Sequence, residues 1–240
     1  MKKRTFLTGA SSVALAGLTG CTQSTATQPK FHIYRNDTIG RRSLYSCKQI
    51  LTRFLPAVLD TIGVMFDYDV VVHPDVIEFN GDTSREKLNA LRSQTDGYIS
   101  QNIHIGLDAG IEKAPLGNAT VPKFSVQANR HATVHVADEL KNVNIAGLSS
   151  DMTIEPNKPP VRSVRILLHE IGHTLGLLHK HGTARERSSG RNVHSLMANR
   201  DLLYSGKNHF NTSLPEPDNE QLALQELSFN DKLRKKHIKI

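Results

Sequence analysis

His169-Glu170-Ile171-Gly172-His173-Thr174-Leu175-Gly176-Leu177-Leu178-His179 is the stretch on which the reading of this chain turns. On a helix, His169 and His173 stand one turn apart and leave from the same face. Two imidazoles so placed can reach one Zn²⁺ at about 2.0–2.1 Å each. Ile166, Leu167, Ile171, Leu175 and Leu178 would bury the remaining helix surface. Glu170 lies about 100° around the helix from His169, so it reaches a water on the metal rather than the metal itself. Gly176 permits an exit with φ > 0, after which the chain can return His179 as a third ligand. Three protein ligands leave a fourth position for water, which is the arrangement of a catalytic site. At about 5% His, 5% Glu and 7% Gly, three His, one Glu and one Gly at fixed spacing arise by chance on the order of once in ten thousand such chains.

The segment resembles the zinc-binding consensus of the metzincin metallopeptidases, with every fixed position present. That resemblance implies an α+β zincin domain: a mixed, mainly parallel twisted sheet, two long helices including the zinc-binding one, and a smaller C-terminal subdomain after His179. It also implies a tight turn with a Met beneath the ligands, and Ser195-Leu196-Met197 fits that role with Met197 as the turn Met. Leu227-Ser228-Phe229-Asn230-Asp231 and the cationic run after it resemble the last helix of the matrixin branch. Lys180 stands where matrixins usually have Ser. Asn199 stands where some metzincins carry a Tyr that helps bind the transition state; Tyr204 is near in sequence only. No subfamily follows from these departures.

Outward from the motif, the pattern predicts a strand at 31–34 and a helical stretch over 43–64, kinked or divided at Pro56. A buried strand at 68–73 closes at Pro74, and a helix at 83–93 is capped by Thr83 or Asp82. Strands follow at 99–107, 121–128 and 131–136, with 108–122 read as a long surface loop. Since metzincins lay an extended peptide along an edge strand, residues 121–128 are the candidate substrate strand. No second linker or internal repeat interrupts residues 31–240, which are read as one monomeric domain.

Lys2, Lys3 and Arg4 followed by an apolar stretch over 6–18 have the layout of an export signal, too short to span a bilayer. Leu18-Thr19-Gly20-Cys21 resembles the lipobox of bacterial lipoproteins. The resemblance implies cleavage after residue 20, acylation of Cys21, and several acyl chains holding the protein to a membrane. Thr22, rather than Asp, after that Cys implies an outer membrane where the organism has one. Residues 21–30 read as a flexible spacer from the lipid. The only other cysteine, Cys47, falls in a helical stretch and reads as a buried inert thiol, so a disulfide framework is excluded.

The formal charge of +7 belongs partly to the leader; without residues 1–20, which hold three cations and no anions, it is +4. Only residues 232–239 form a concentrated basic run, and it reads as the cationic end of a terminal helix, not a nucleic-acid surface. Among the other histidines, His181 reads as solvated. His131 and His135 lie about 13 Å apart on a strand, too far to share a metal. The expectation is one catalytic zinc and no second; the role of His194 stays open. The functional expectation is a zinc endopeptidase on a protein or peptide substrate, with Glu170 taking the proton of the zinc-bound water. Two alternatives stand beside it: an envelope-binding lipoprotein with a structural zinc, and a zinc hydrolase acting on a non-peptide or cell-wall amide substrate.

Overall fold

The computed structural model describes residues 28–60, 62–95, 102–110, 115–122, 129–143, 161–182, 184–186, 192–198 and 238. The expectations for the leader, Cys21, most of the spacer, Asn199, Tyr204 and nearly all of 227–239 lie outside them.

Strand β1 (Lys30–Arg35) is an interior strand, with Phe31 and Ile33 on one face and His32 and Tyr34 on the other. After it come α1 (Arg41–Gln49), a π-helical turn (Ile50–Phe54) and α2 (Leu55–Asp60). Pro56 does not break this run. It has no N–H and its ring would clash with the carbonyl four residues back. The wider π turn relieves that clash, and the Leu55 N–H bonds instead to the Ile50 carbonyl. Cys47 is a fully buried free thiol, and burial raises its pKa.

Strand β2 (Asp69–Val76) runs through Pro74 instead of ending before it. Proline is tolerated because β2 is an edge strand with a register irregularity opposite Ile33 to Arg35. Helix α3 (Ser84–Gln94) starts from Thr83 in a full capping box. Thr83 Oγ1 accepts from the Glu86 N–H at 3.2 Å, and Glu86 Oε2 accepts from the Thr83 N–H at 3.1 Å. β3 (Ile103–Leu107), β4 (Gly117–Ala119) and β5 (His131–Val134) complete the sheet, followed by a 3₁₀ turn (Ala137–Asn142) and α4 (Val161–Thr174).

Among the described residues the order is β2-β1-β3-β5-β4, with β4 antiparallel to β5 and all other pairs parallel. The expected mixed, mainly parallel sheet is therefore present. One face carries Phe31, Ile33, Ile103, Ile105, Leu107 and Val134 against Leu44, Ile50, Leu51 and Leu55 of the first helices and Val164, Leu167, Leu168 and Ile171 of α4. The opposite face meets α3 through a much smaller cluster of Tyr34, Phe79 and Leu91.

Two expectations need correction. Residues 108–122 are not one loop: Gly117–Ala119 pair with Ala132–Val134 as an antiparallel edge strand. Residues 121 and 122 are not strand, and 123–128 lie outside the described residues. The Gly-, Pro- and Asn-rich composition masked β4, because three residues paired only through backbone need no β-branched side chains. Beyond α4, β6 (Ala184–Glu186) and β7 (Asn192–His194) form a small antiparallel ribbon, so His194 lies on its second strand.

Candidate metal centre

Helix α4 turns Val164, Leu167, Leu168 and Ile171 into the core, all fully buried. That anchoring sets the rotation of the helix and carries His169 and His173 to its flank, with ring centroids 4.7 Å apart. Leu178, expected to be buried, is 37% exposed, because the helix has already ended. The ending is a Schellman motif. The Gly176 N–H reaches the His173 carbonyl at 2.9 Å, the Leu177 N–H reaches that of Gly172 at 2.9 Å, and Gly176 has φ +95°. A short 3₁₀ turn (His179–His181) follows. His181 is half-buried rather than simply solvated, and its Nδ1 accepts from the Leu178 N–H at 2.9 Å, bracing that turn.

The bend brings the three imidazoles together. His179 Nε2 lies 3.2 Å from His169 Nε2 and 3.0 Å from His173 Nε2. Three nitrogens sharing one tetrahedral zinc at 2.0–2.1 Å would be about 3.3 Å apart, so the donor set fits such an ion. The rings are also oriented for it. His169 Nδ1 donates to the Leu196 carbonyl, and His173 Nδ1 donates to the Leu177 carbonyl at 2.8 Å. Protons held at Nδ1 leave the Nε2 lone pairs to face one another, an arrangement that repels itself unless a cation sits among them. Burial, reinforced by the neighbouring imidazoles, pushes His169 down to about 3, and burial pushes His173 down to about 4. Both are neutral at pH 7 and ready to ligate. Among the described residues, these three form the one group of His, Cys, Asp and Glu side chains able to hold a metal ion.

Met197 is fully buried in the main core, within the turn that receives His169. That turn is closed by the Ala198 N–H on the Ser195 carbonyl at 3.0 Å. Its closeness to the turn that carries His179 depends on Gly182, which sequence reasoning passed over. A Cβ there would stand 2.5 Å from the Met197 carbonyl carbon and nearer still to the Ala198 backbone. The only sequence signal was a glycine three residues past His179.

Glu170 is 7% exposed, and burial pushes its carboxyl up to about 8. A dication beside it favours the ionised form and so lowers that value. Its side chain lies over β4, where a Cβ on Gly117 would come within 2.6 Å of Oε1 and 2.7 Å of Cγ. Gly117 thus sets where the carboxylate rests. Should Glu170 serve as the general base of a hydrolase, Gly117→Ala is expected to lower turnover by about 10–100-fold while leaving metal affinity unchanged, since misplacement of a reacting group by ~1 Å has that scale of effect. Steady-state kinetics beside a metal titration check this; unchanged kcat would remove Gly117 from the site.

The remaining candidates disperse. His131 bonds to Thr95 Oγ1 at 2.7 Å, whereas His135 Nδ1 donates to Asp108 Oδ2 at 3.2 Å. Lys180 is exposed.

No family model and no curated protein matches this chain. Among solved structures, metalloproteinase-II from Bacteroides fragilis is similar at 15% identity and a TM-score of 0.37, over 85% of this chain and 54% of that one. The chain therefore spans about half the length of that structure.

Proposed function

We propose that this chain is a zinc-dependent hydrolase of peptide bonds, with His169, His173 and His179 as ligands and Glu170 as general base. The convergence of three Nε2 atoms carries the reading, with the buried Glu170 next in sequence to the first of them. Zinc bound there supplies Lewis acidity, polarising a carbonyl and acidifying water towards a pKa of about 7. Glu170, held against Gly117, takes the proton of the attacking water and passes it to the leaving amine. The edge position of β4 supports 117–119, in place of the 121–128 first expected, as the strand that receives an extended peptide. The metal-binding helix and the strand that receives the peptide would then meet at Glu170.

The test is hydrolysis of an unstructured protein by wild type and Glu170→Ala, each with its zinc content measured. Wild type should cleave, lose activity to a chelator and regain it with Zn²⁺; the variant should keep its metal and lose about 10²–10⁴-fold in rate. Equal rates, or none in either protein, sink the peptidase reading. Activity confined to non-peptide amides would shift the substrate class and leave the catalytic set standing.

The envelope address rests on residues 1–30 alone. In this proposal Cys21 carries the lipid and tethers the domain to a bacterial membrane. Labelled palmitate should enter the wild type and not Cys21→Ser; equal labelling of the two rejects the anchor.

A further inference from the structure

Arg130, immediately before β5, is the largest fully buried side chain among the described residues, at 1% exposure. Burying a guanidinium costs several kcal/mol unless its surroundings return that energy. Nη1 donates to the Thr174 carbonyl at 2.6 Å, and Thr174 is the last residue of α4. Helix C-terminal carbonyls lack intrahelical donors and carry partial negative charge, so a cation there is stabilised. The Arg130 carbonyl in turn accepts from the His104 N–H at 2.8 Å, tying this contact to β3 at the middle of the sheet.

We propose that Arg130 is a positioning residue for the metal site, holding the end of α4 where His173 and His179 converge. The inference rests on the proposed metal binding. The turn beginning at Thr174 contains Gly176 at φ +95°, then Leu177, whose carbonyl orients His173, and two residues later His179. A shift of that turn disturbs one ligand's hydrogen bond and another's delivery together. His169 is held independently by the Leu196 carbonyl. Loss of Arg130 therefore leaves one ligand in place and misaligns two. A purely structural cation would lower the stability of the protein and leave the zinc affinity of folded molecules unchanged.

The experiment measures Zn²⁺ affinity by competition with a chromophoric chelator, with folding of each variant checked by circular dichroism. Disturbing a group that orients a ligand typically weakens metal binding by about 10–100-fold, the loss expected for Arg130→Met. Arg130→Lys keeps the charge with a single shorter donor arm and should bind at least about threefold more weakly than wild type. Wild-type affinity in folded Arg130→Met overturns the proposal. If Arg130→Met does not fold, Arg130→Lys decides in the same way. Failure of the wild type itself to bind Zn²⁺ would overturn the metal site and this role with it, and is visible without any variant.

Discussion

Asp108→Ala is expected to destabilise the protein by about 3–5 kcal/mol, the usual cost of leaving one member of a buried ion pair alone. Asp108 is fully buried just past β3, where it pairs with Lys87 of α3, itself only 7% exposed. It also accepts from Asn36 Nδ2, from Thr38 Oγ1 at 3.1 Å and from His135 Nδ1 at 3.2 Å. Burial alone would raise its pKa. The hydrogen bonds from His135, Lys87 and Asn36 outweigh burial and hold the carboxyl well below the usual range. Alanine removes the one anion of this group and strands the Lys87 ammonium. Urea unfolding at neutral pH measures the loss. A double variant, Lys87→Met with Asp108→Leu, should recover much of it, because apolar replacement of a buried pair is often neutral or better. A loss under about 1 kcal/mol, the scale of an exposed pair, would refute the account.

Acidification should weaken the fold through the other unusual feature of the same sheet face. His73, His32, His104 and His131, from β2, β1, β3 and β5, stack in sequence with ring centroids 5.2, 5.0 and 4.7 Å apart. Tyr34 stacks on His73 at 4.3 Å, and its hydroxyl lies 3.1 Å from His104 Nδ1. Burial, then the nearby His32 and His73, pushes His104 down to about 4. Burial, then His104 and Arg92, pushes His131 down to about 3. Burial also lowers His32 and His73.

These folded-state values lie below the unfolded 6.5, so the unfolded chain binds more protons as pH falls under 6.5. The stabilisation is complete above pH 6.5 and is lost progressively towards about 4 and 3. Full protonation of His104 alone is worth about 3 kcal/mol, and by about pH 5 each of the two buried rings should cost about 2 kcal/mol. Unfolding free energies of chelator-treated protein between about pH 8 and 4.5 measure the slope. His104→Phe keeps an aromatic ring in the stack and removes its proton, so its slope should be shallower. A flat profile, or an unchanged slope in His104→Phe, would exclude this role.

The sequence pattern revealed β1, β3, a helix start at Thr83 or Asp82 and most of the helical run it placed over 43–64, because each is a local arrangement that its own residues impose. The pattern misplaced what depended on neighbours. Pro56 looked like a break because a π turn is absorbed only within a packed helix. Pro74 looked like a strand end because edge position is a property of the sheet. β4 was invisible because its pairing partner lies fifteen residues away, from Asn118 to Thr133. The histidines at 32, 73, 104 and 131 look scattered along the chain, and only parallel register aligns them.

The candidate centre divides along the same line. Helical periodicity and the freedom of Gly176 are local, so His169, His173, His179 and Glu170 could be named from spacing, together with a bend to gather them. What that spacing leaves open is orientation. The Leu196 carbonyl that turns His169, the bare face of Gly117, the Met197–Ala198 backbone that packs on Gly182, and the buried Arg130 at the helix end all come from distant segments. Their roles arise from close packing and the pairing of buried polar groups, and those contacts exist only once the sheet and α4 have come together.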